Sequence, residues 1–284
     1  MNPIEAAIHQ AEEKWLSPVN LFITKIFTKV NIPSHDALHH HRVWAYSKML
    51  IKELHSANLG ISPASIESTL VAAMFHDTGL TTDLGEKHGS LGVAICKQFL
   101  VQNPQLGLTL QQETFDAIEK HDDKSLKENS RYTATQLTSP LLIVSTADDL
   151  DAFGYIGVFR YLEIYLKRGI AMESIPKKVI ENINNRYANF RNRYFSLNSF
   201  THQQRERFTI TLDFFSKLDD RHSPHWQIAL FIASILKHQH TNINQLTHYA
   251  TNNCNGDTAI LNFFRIIAEE LNASSFTSKL NTLP

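Results

Sequence analysis

Apolar residues recur along this chain at intervals of three and four, and nowhere in strict alternation. That spacing is the signature of helices with one buried face. Ile4, Ile8, Ala11 and Trp15 open the first stripe. Ser17-Pro18 is expected to end it, with a second helix carrying Val19, Phe22, Ile23, Ile26 and Val30 up to Pro33. A helix over about 35–57 carries Val43, Tyr46, Leu50 and Leu54. Ser62-Pro63 starts another, which runs through Ala72-Ala73-Met74-Phe75 into His76-Asp77, with Gly79 read as a left-handed stop. Further helices are expected from His88 (Leu91, Ile95, Phe99), from about Thr109 to His121, from Pro140, and from Val158 to Leu166. Residues 122–138 read as an exposed polar connection that can cover a site. Beyond Ser174 the stripes turn aromatic, with Tyr187, Phe190 and Tyr194, then Phe208 and Phe215, then the apolar run after Pro224. The segment 239–256 is set apart by its His, Thr and Asn content, and a last helix holds Ile260, Phe264, Ile267 and Leu271. The expected fold is all-α, with a helical domain over 1–172 and a C-terminal helical extension over 173–284.

The informative positions are those where a polar side chain occupies an apolar stripe. His39 lies one turn before Val43, whereas His40 is turned about 100° away and His41 shares a line with Ala45, Lys48 and Lys52. His76 and Asp77 fall in the expected last helical turn, where the helix dipole disfavours a carboxylate. No Lys or Arg lies within nine residues of Asp77, so a bound metal is one candidate for its counter-charge and bulk water the other. His88 precedes Leu91 by three residues, and His121 closes the stripe of Leu110, Thr114, Ala117 and Ile118. Leu141, Val144, Asp148 and Asp151 are spaced three, four and three, so both carboxylates share the apolar side while Asp149 points elsewhere. Taken singly, each is as well explained by a hydrogen-bonded core residue or a solvated helix end. Taken together, His39, His76, Asp77, His88, His121 and Asp148 form a set of imidazoles and carboxylates from five helices. Such donors suit Mn, Fe, Zn, Ni or Co better than Ca. Six donors exceed what one catalytic ion needs, and two ions sharing a carboxylate would use them all.

Composition narrows the partners more than the chemistry. A net charge of −1 gives no polycationic surface for nucleic acid. No apolar run approaches the ~20 residues of a membrane span, and the start of the chain lacks a signal-peptide pattern. Cys96 and Cys254, the only two cysteines, lack metal-like spacing and fit a reducing compartment, so a cytoplasmic protein is expected. Fifteen histidines are the compositional oddity.

The order His39 … His76-Asp77 … Asp148 resembles the HD superfamily of metal-dependent phosphohydrolases, an all-helical fold. His39-His40-His41-Arg42-Val43 is similar to its first motif, His76-Asp77-Thr78-Gly79-Leu80 to its second, and Asp148-Asp149-Leu150-Asp151-Ala152-Phe153-Gly154 through Arg160 to its last. By this match His35-Asp36 is not the family's doublet. The resemblance implies one ion near His39, His76, Asp77 and Asp148 and a second near His88 and His121, with Asp77 as bridge. It departs at Asp149, where relatives usually carry Arg; Arg42, Arg160 or Lys124 would then contact phosphate. The implied function is a phosphohydrolase or phosphodiesterase acting on a phosphate ester or anhydride of a nucleotide-like small molecule. Asp77 and Asp148 would sit at the reacting centre, and Asp151 would orient a ligand or a substrate hydroxyl. An HD-type di-iron oxygenase using the same ligands and a non-catalytic regulatory HD module are the alternatives. The C-terminal helices are left as a candidate homo-oligomer face.

Overall fold

The computed structural model describes residues 2–123, 132–239 and 242–273. Thirteen α-helices and no strand occur among them. The all-α expectation holds.

Helix α1 spans Pro3–Phe27 without a break. This corrects the expected division at Ser17-Pro18. Pro18 costs one helical hydrogen bond, but Ile4, Ile8, Ala11, Trp15, Val19, Ile23 and Phe27 make one continuous buried line across it. Burial of that line against α3 (Pro63–Phe75) outweighs the lost bond.

Helix α2, Ala37–Ser56, is started by Asp36, whose carboxylate accepts the His39 backbone N–H at 3.0 Å. His35-Asp36 is thus a turn and a helix cap. The turn Pro33–His35 is seated on α8 (Gly154–Lys167), where buried Glu163 accepts the Ser34 backbone N–H at 2.8 Å. α2 is enclosed by α1, α3 and α7 (Pro140–Asp151), so all three histidines of its first turn are buried. Only His39 reaches the polar cluster; His40 packs between the rings of Phe27 and His76, and His41 bonds Asn20 at 2.8 Å.

Helices α4 (His88–Gln102) and α5 (Gln111–Lys120) complete the inner layer. Glycine permits their close approach: a Cβ on Gly79 would lie 1.9 Å from the His88 carbonyl oxygen, and one on Gly89 would lie 2.4 Å from that of Glu119. Gly79 is not in the left-handed region. Its role is to admit the start of α4, which corrects its reading as a helix stop.

The C-terminal helices α9 (Ile175–Tyr194), α10 (Asn198–Ser216), α11 (Pro224–Ile235), α12 (Ile243–Asn253) and α13 (Thr258–Ala273) share a continuous hydrophobic core with the first eight. α12 comes from the His-, Thr- and Asn-rich segment; its short stripe of Ile243, Leu246 and Ala250 suffices once packed. The short α6, Ala134–Leu137, falls within the expected polar connection. Arg207 of α10 donates to the Leu150 and Phe153 carbonyls at 2.8 and 2.7 Å, capping the end of α7. Glu270 of α13 accepts the Tyr155 and Ile156 backbone N–H groups at 3.0 Å each, capping the start of α8. The extension therefore braces the two helices that carry Asp148 and Arg160. Among the described residues no helix is long and apolar enough to cross a membrane.

Candidate metal centre

Each polar residue singled out on a stripe arrives at the cluster from a helix end. His39 comes from the first turn of α2, and His76 caps the C-terminus of α3. Asp77 follows that cap, with φ −103° and ψ 7°, so it lies beyond the helix and not in its last turn. His88 starts α4, His121 caps α5, and Asp148 lies in the last turn of α7. All six are buried.

The imidazole orientations carry the chemical information. His76 Nδ1 donates to the Ala73 carbonyl at 2.9 Å, His88 Nδ1 to that of Gly85 at 2.7 Å, and His121 Nδ1 to that of Ile118 at 2.8 Å. His39 Nδ1 donates to Asp151 Oδ2 at 2.8 Å. Carbonyl and carboxylate oxygens only accept, so Nδ1 carries the proton in all four rings and Nε2 is the end turned to the cluster. The Nε2 atoms of His39 and His76 lie 3.0 Å apart. Two imidazole lone pairs approach that closely with benefit only when a cation, proton or metal, sits between them.

Asp77 lies between two donor groups. Its Oδ2 is 3.2 Å from His39 Nε2 and 3.5 Å from His76 Nε2; its Oδ1 is 3.2 Å from His121 Nε2 and 3.6 Å from His88 Nε2. Asp148 Oδ1 is 3.7 and 3.8 Å from the Nε2 atoms of His39 and His76. Two sets therefore have one donor atom per residue within 4.8 Å of all the others: His39, His76, Asp77 and Asp148, and Asp77, His88 and His121. Imidazole nitrogen with carboxylate oxygen is a donor set for a divalent transition metal, and this one fits it. These are the six residues and the grouping expected from sequence.

Electrostatics agree with that division. Burial resists ionisation of Asp77, but the imidazoles of His76, His121 and His39 around it outweigh that and hold the carboxyl well below its usual range. Burial and Arg160 depress His39 to about 4, keeping its ring neutral. His121 goes the other way: burial opposes its charge, yet the bond to Asp77 and that residue's charge raise it to about 9.

Asp151, Arg42 and Arg160 form a buried support behind His39. Asp151 accepts from Arg42 Nε at 2.8 Å, Arg42 Nη2 at 3.0 Å and Arg160 Nη1 at 3.0 Å, besides His39. Burial opposes its ionisation, but Arg42, Arg160 and His39 hold its carboxyl far below the usual carboxylate range. Both Arg42 and Asp151 lie outside the wall of the adjoining cavity, so the geometry gives them a positioning role and not a phosphate or substrate contact. Arg160 does face the cavity, with Nη2 3.0 Å from Asp148 Oδ1. Lys124 lies outside the described residues.

The cavity encloses about 760 Å³ against Asp77, His88, His121 and Asp148. Its wall mixes acids such as Glu86, Glu119 and Asp122 with the cations Arg160, Arg168 and Arg186. Arg186 is not among the residues singled out from sequence, although it occupies the α9 stripe between Ile183 and Phe190, spaced three and four from them. That is the same signal that picked out Asp148.

Comparison with known proteins gives one family. Residues 37–152 match the family model of the HD domain, and this stretch of the chain is an HD domain. No curated protein and no solved structure matches the chain.

Proposed function

We propose that the HD domain carried by residues 37–152 is a metal-dependent phosphohydrolase that cleaves a phosphate ester or anhydride of a nucleotide-like small molecule. The observation that carries this reading is the convergence of four imidazole Nε2 atoms on the two oxygens of Asp77 beside a cavity lined by Arg160 and Arg186. Two divalent ions held there would polarise a phosphoryl oxygen and acidify a water for attack.

The chain's own residues then have distinct tasks. Asp77 offers one oxygen to each donor group and so fixes their separation. The Nδ1 bonds of His39, His76, His88 and His121 lock the rings, which raises their basicity and removes the entropy of orienting them. Asp148 holds Oδ1 toward the His39 and His76 group. Arg160, anchored on Asp151 and Asp148, presents positive charge to an anionic substrate at the cavity wall. Buried apolar helix faces under the site, including Ala73, Val144 and Ala147, keep water to the cavity side.

Arg160 and Arg186, which line the cavity beside Asp148, favour an anionic phosphate over the C–H substrate of an oxygenase. The test is phosphate or pyrophosphate release from a nucleotide panel with Mn²⁺ or Co²⁺ added, with bound metal quantified in the same sample. Turnover that requires the metal supports the reading. Bound metal without turnover of any phosphate compound overturns it, and a mixed-valent di-iron EPR signal would point to the oxygenase instead.

A further inference from the structure

Asp149, Arg186 and Asn182 line this cavity and have no task in the mechanism so far. The HD match ends at residue 152, so Arg186 and Asn182 belong to the C-terminal extension. We propose that Arg186 is the arm of this site that binds a phosphoryl oxygen, and that Asp149 and Asn182 position it. This inference rests on the phosphohydrolase reading above.

Arg186 enters the cavity on the core-facing stripe of α9, a costly place for a charge unless it is paired. Its Nη1 forms an ion pair with Asp149 Oδ1 at 2.8 Å and donates to Asp148 Oδ2 at 3.2 Å, and its Nε donates to Asn182 Oδ1 at 2.9 Å. Asn182 is held in turn by Tyr161 Oη, which donates to the same oxygen at 3.3 Å, and by Tyr165 Oη, which accepts from Nδ2 at 3.4 Å. Two of the three guanidinium nitrogens are therefore fixed by protein. Nη2 alone makes no hydrogen bond to the described residues. The side chain is 18% exposed and lines the cavity, so the planar group is immobilised with one edge free for an oxyanion.

The other cations of the wall do not offer such a held, unbonded edge. Arg160 contributes its charge, but it spends one terminal nitrogen on Asp151 and the other on Asp148. Arg168 donates only Nε, to the Leu84 carbonyl, and is exposed to solvent, and Lys120 pairs with Asp116 at the surface. Arg186 is also tied through Asp148 to the carboxylate whose other oxygen faces the His39 and His76 group. That places its charge beside the ion site. Asp149, which from sequence only added negative charge, acts here as the anchor that turns Arg186 toward the cavity.

A purely structural ion pair gives a different expectation. Replacing both partners of a buried pair by neutral groups of similar shape is often close to neutral for stability. The test therefore compares Arg186→Gln with the double variant Asp149→Asn/Arg186→Gln, each loaded with Mn²⁺, with metal stoichiometry and helicity recorded. The probes are inorganic phosphate binding by calorimetry and phosphate release from the nucleotide panel. The expected result is metal retained in both variants, with phosphate affinity and kcat/KM each lower by roughly ten- to a hundredfold, as for loss of a charge-assisted hydrogen bond. Should the single variant fail to fold with Asp149 unpaired, the double variant decides. Wild-type phosphate affinity in the folded, metal-loaded double variant overturns the inference and leaves the phosphohydrolase reading standing. If the metal-loaded wild type neither binds phosphate nor releases it, the phosphohydrolase reading falls, and the inference with it.

Discussion

Replacing Asp151 by Asn gives the sharpest test of how the centre is supported. The carboxylate is fully buried and accepts four N–H groups, one from His39, two from Arg42 and one from Arg160. An amide keeps the shape but removes the charge and turns one acceptor into a donor, so at least one of these bonds is lost. Arg42 and Arg160 are then left short of a buried counter-charge. Breaking a buried ion pair from one side costs about 3–5 kcal/mol, a large part of the roughly 5–15 kcal/mol that holds a domain folded. For a protein of this size that is a fall in Tm of roughly 6–20 °C. Loss of the acceptor behind a ligating imidazole also weakens metal binding by about ten- to a hundredfold.

That loss falls on the donor group of His39 and not on that of His88 and His121, whose Nδ1 atoms bond backbone carbonyls. The assay is urea unfolding of the metal-free protein together with Mn²⁺ titration of the folded variant. The pH dependence has a definite sign: a carboxyl depressed in the folded state contributes its stability above its unfolded pKa, near 4, and loses it as pH falls toward the folded value. The stability difference between wild type and Asp151→Asn should therefore be flat above about pH 5 and shrink at strongly acidic pH. A variant with unchanged stability, or one whose two ions weaken equally, would refute the proposed support.

Asp148→Ala should abolish tight binding at the four-residue donor group and leave His88 and His121 competent. Asp77→Ala should lose both ions, and His41→Ala neither, as read by metal analysis after gel filtration. With His121 raised to about 9, a proton competes for its Nε2, so affinity at that donor group should rise about tenfold per pH unit between roughly pH 7 and 9. With His39 depressed to about 4, proton competition at its Nε2 is absent across the same range; calorimetry at several pH values separates the two donor groups. Gly79→Ala would force a methyl against the His88 carbonyl, so α4 must shift. It should cost about 1–3 kcal/mol and weaken the ion bound by His88 more than the one bound by His39, as read by thermal unfolding and metal titration.

The spacing of residues alone was enough for most of the helices and for singling out six inward polar side chains, because each is a local matter; their division into two groups came from the resemblance to the HD superfamily. A helix reveals its buried face by spacing, and a polar residue on that face stands out whatever the face packs against. Its limits were also physical. Pro18 looked like a break because its ring strains a lone helix, and only packing against α3 shows what offsets that. Gly79 looked like a left-handed cap, but the closeness of His88, nine residues on, is what demands glycine there. Arg42 looked like a phosphate contact, and Asp151 like a group orienting either a ligand or a substrate hydroxyl, because charge type is visible in a sequence and burial behind His39 is not. Arg186 sat on a core stripe in plain view, yet its partner Asp149 lies 37 residues earlier on another helix. Periodicity fixes which way a side chain points from its own helix axis. Only the packing of helices against one another decides what it meets there.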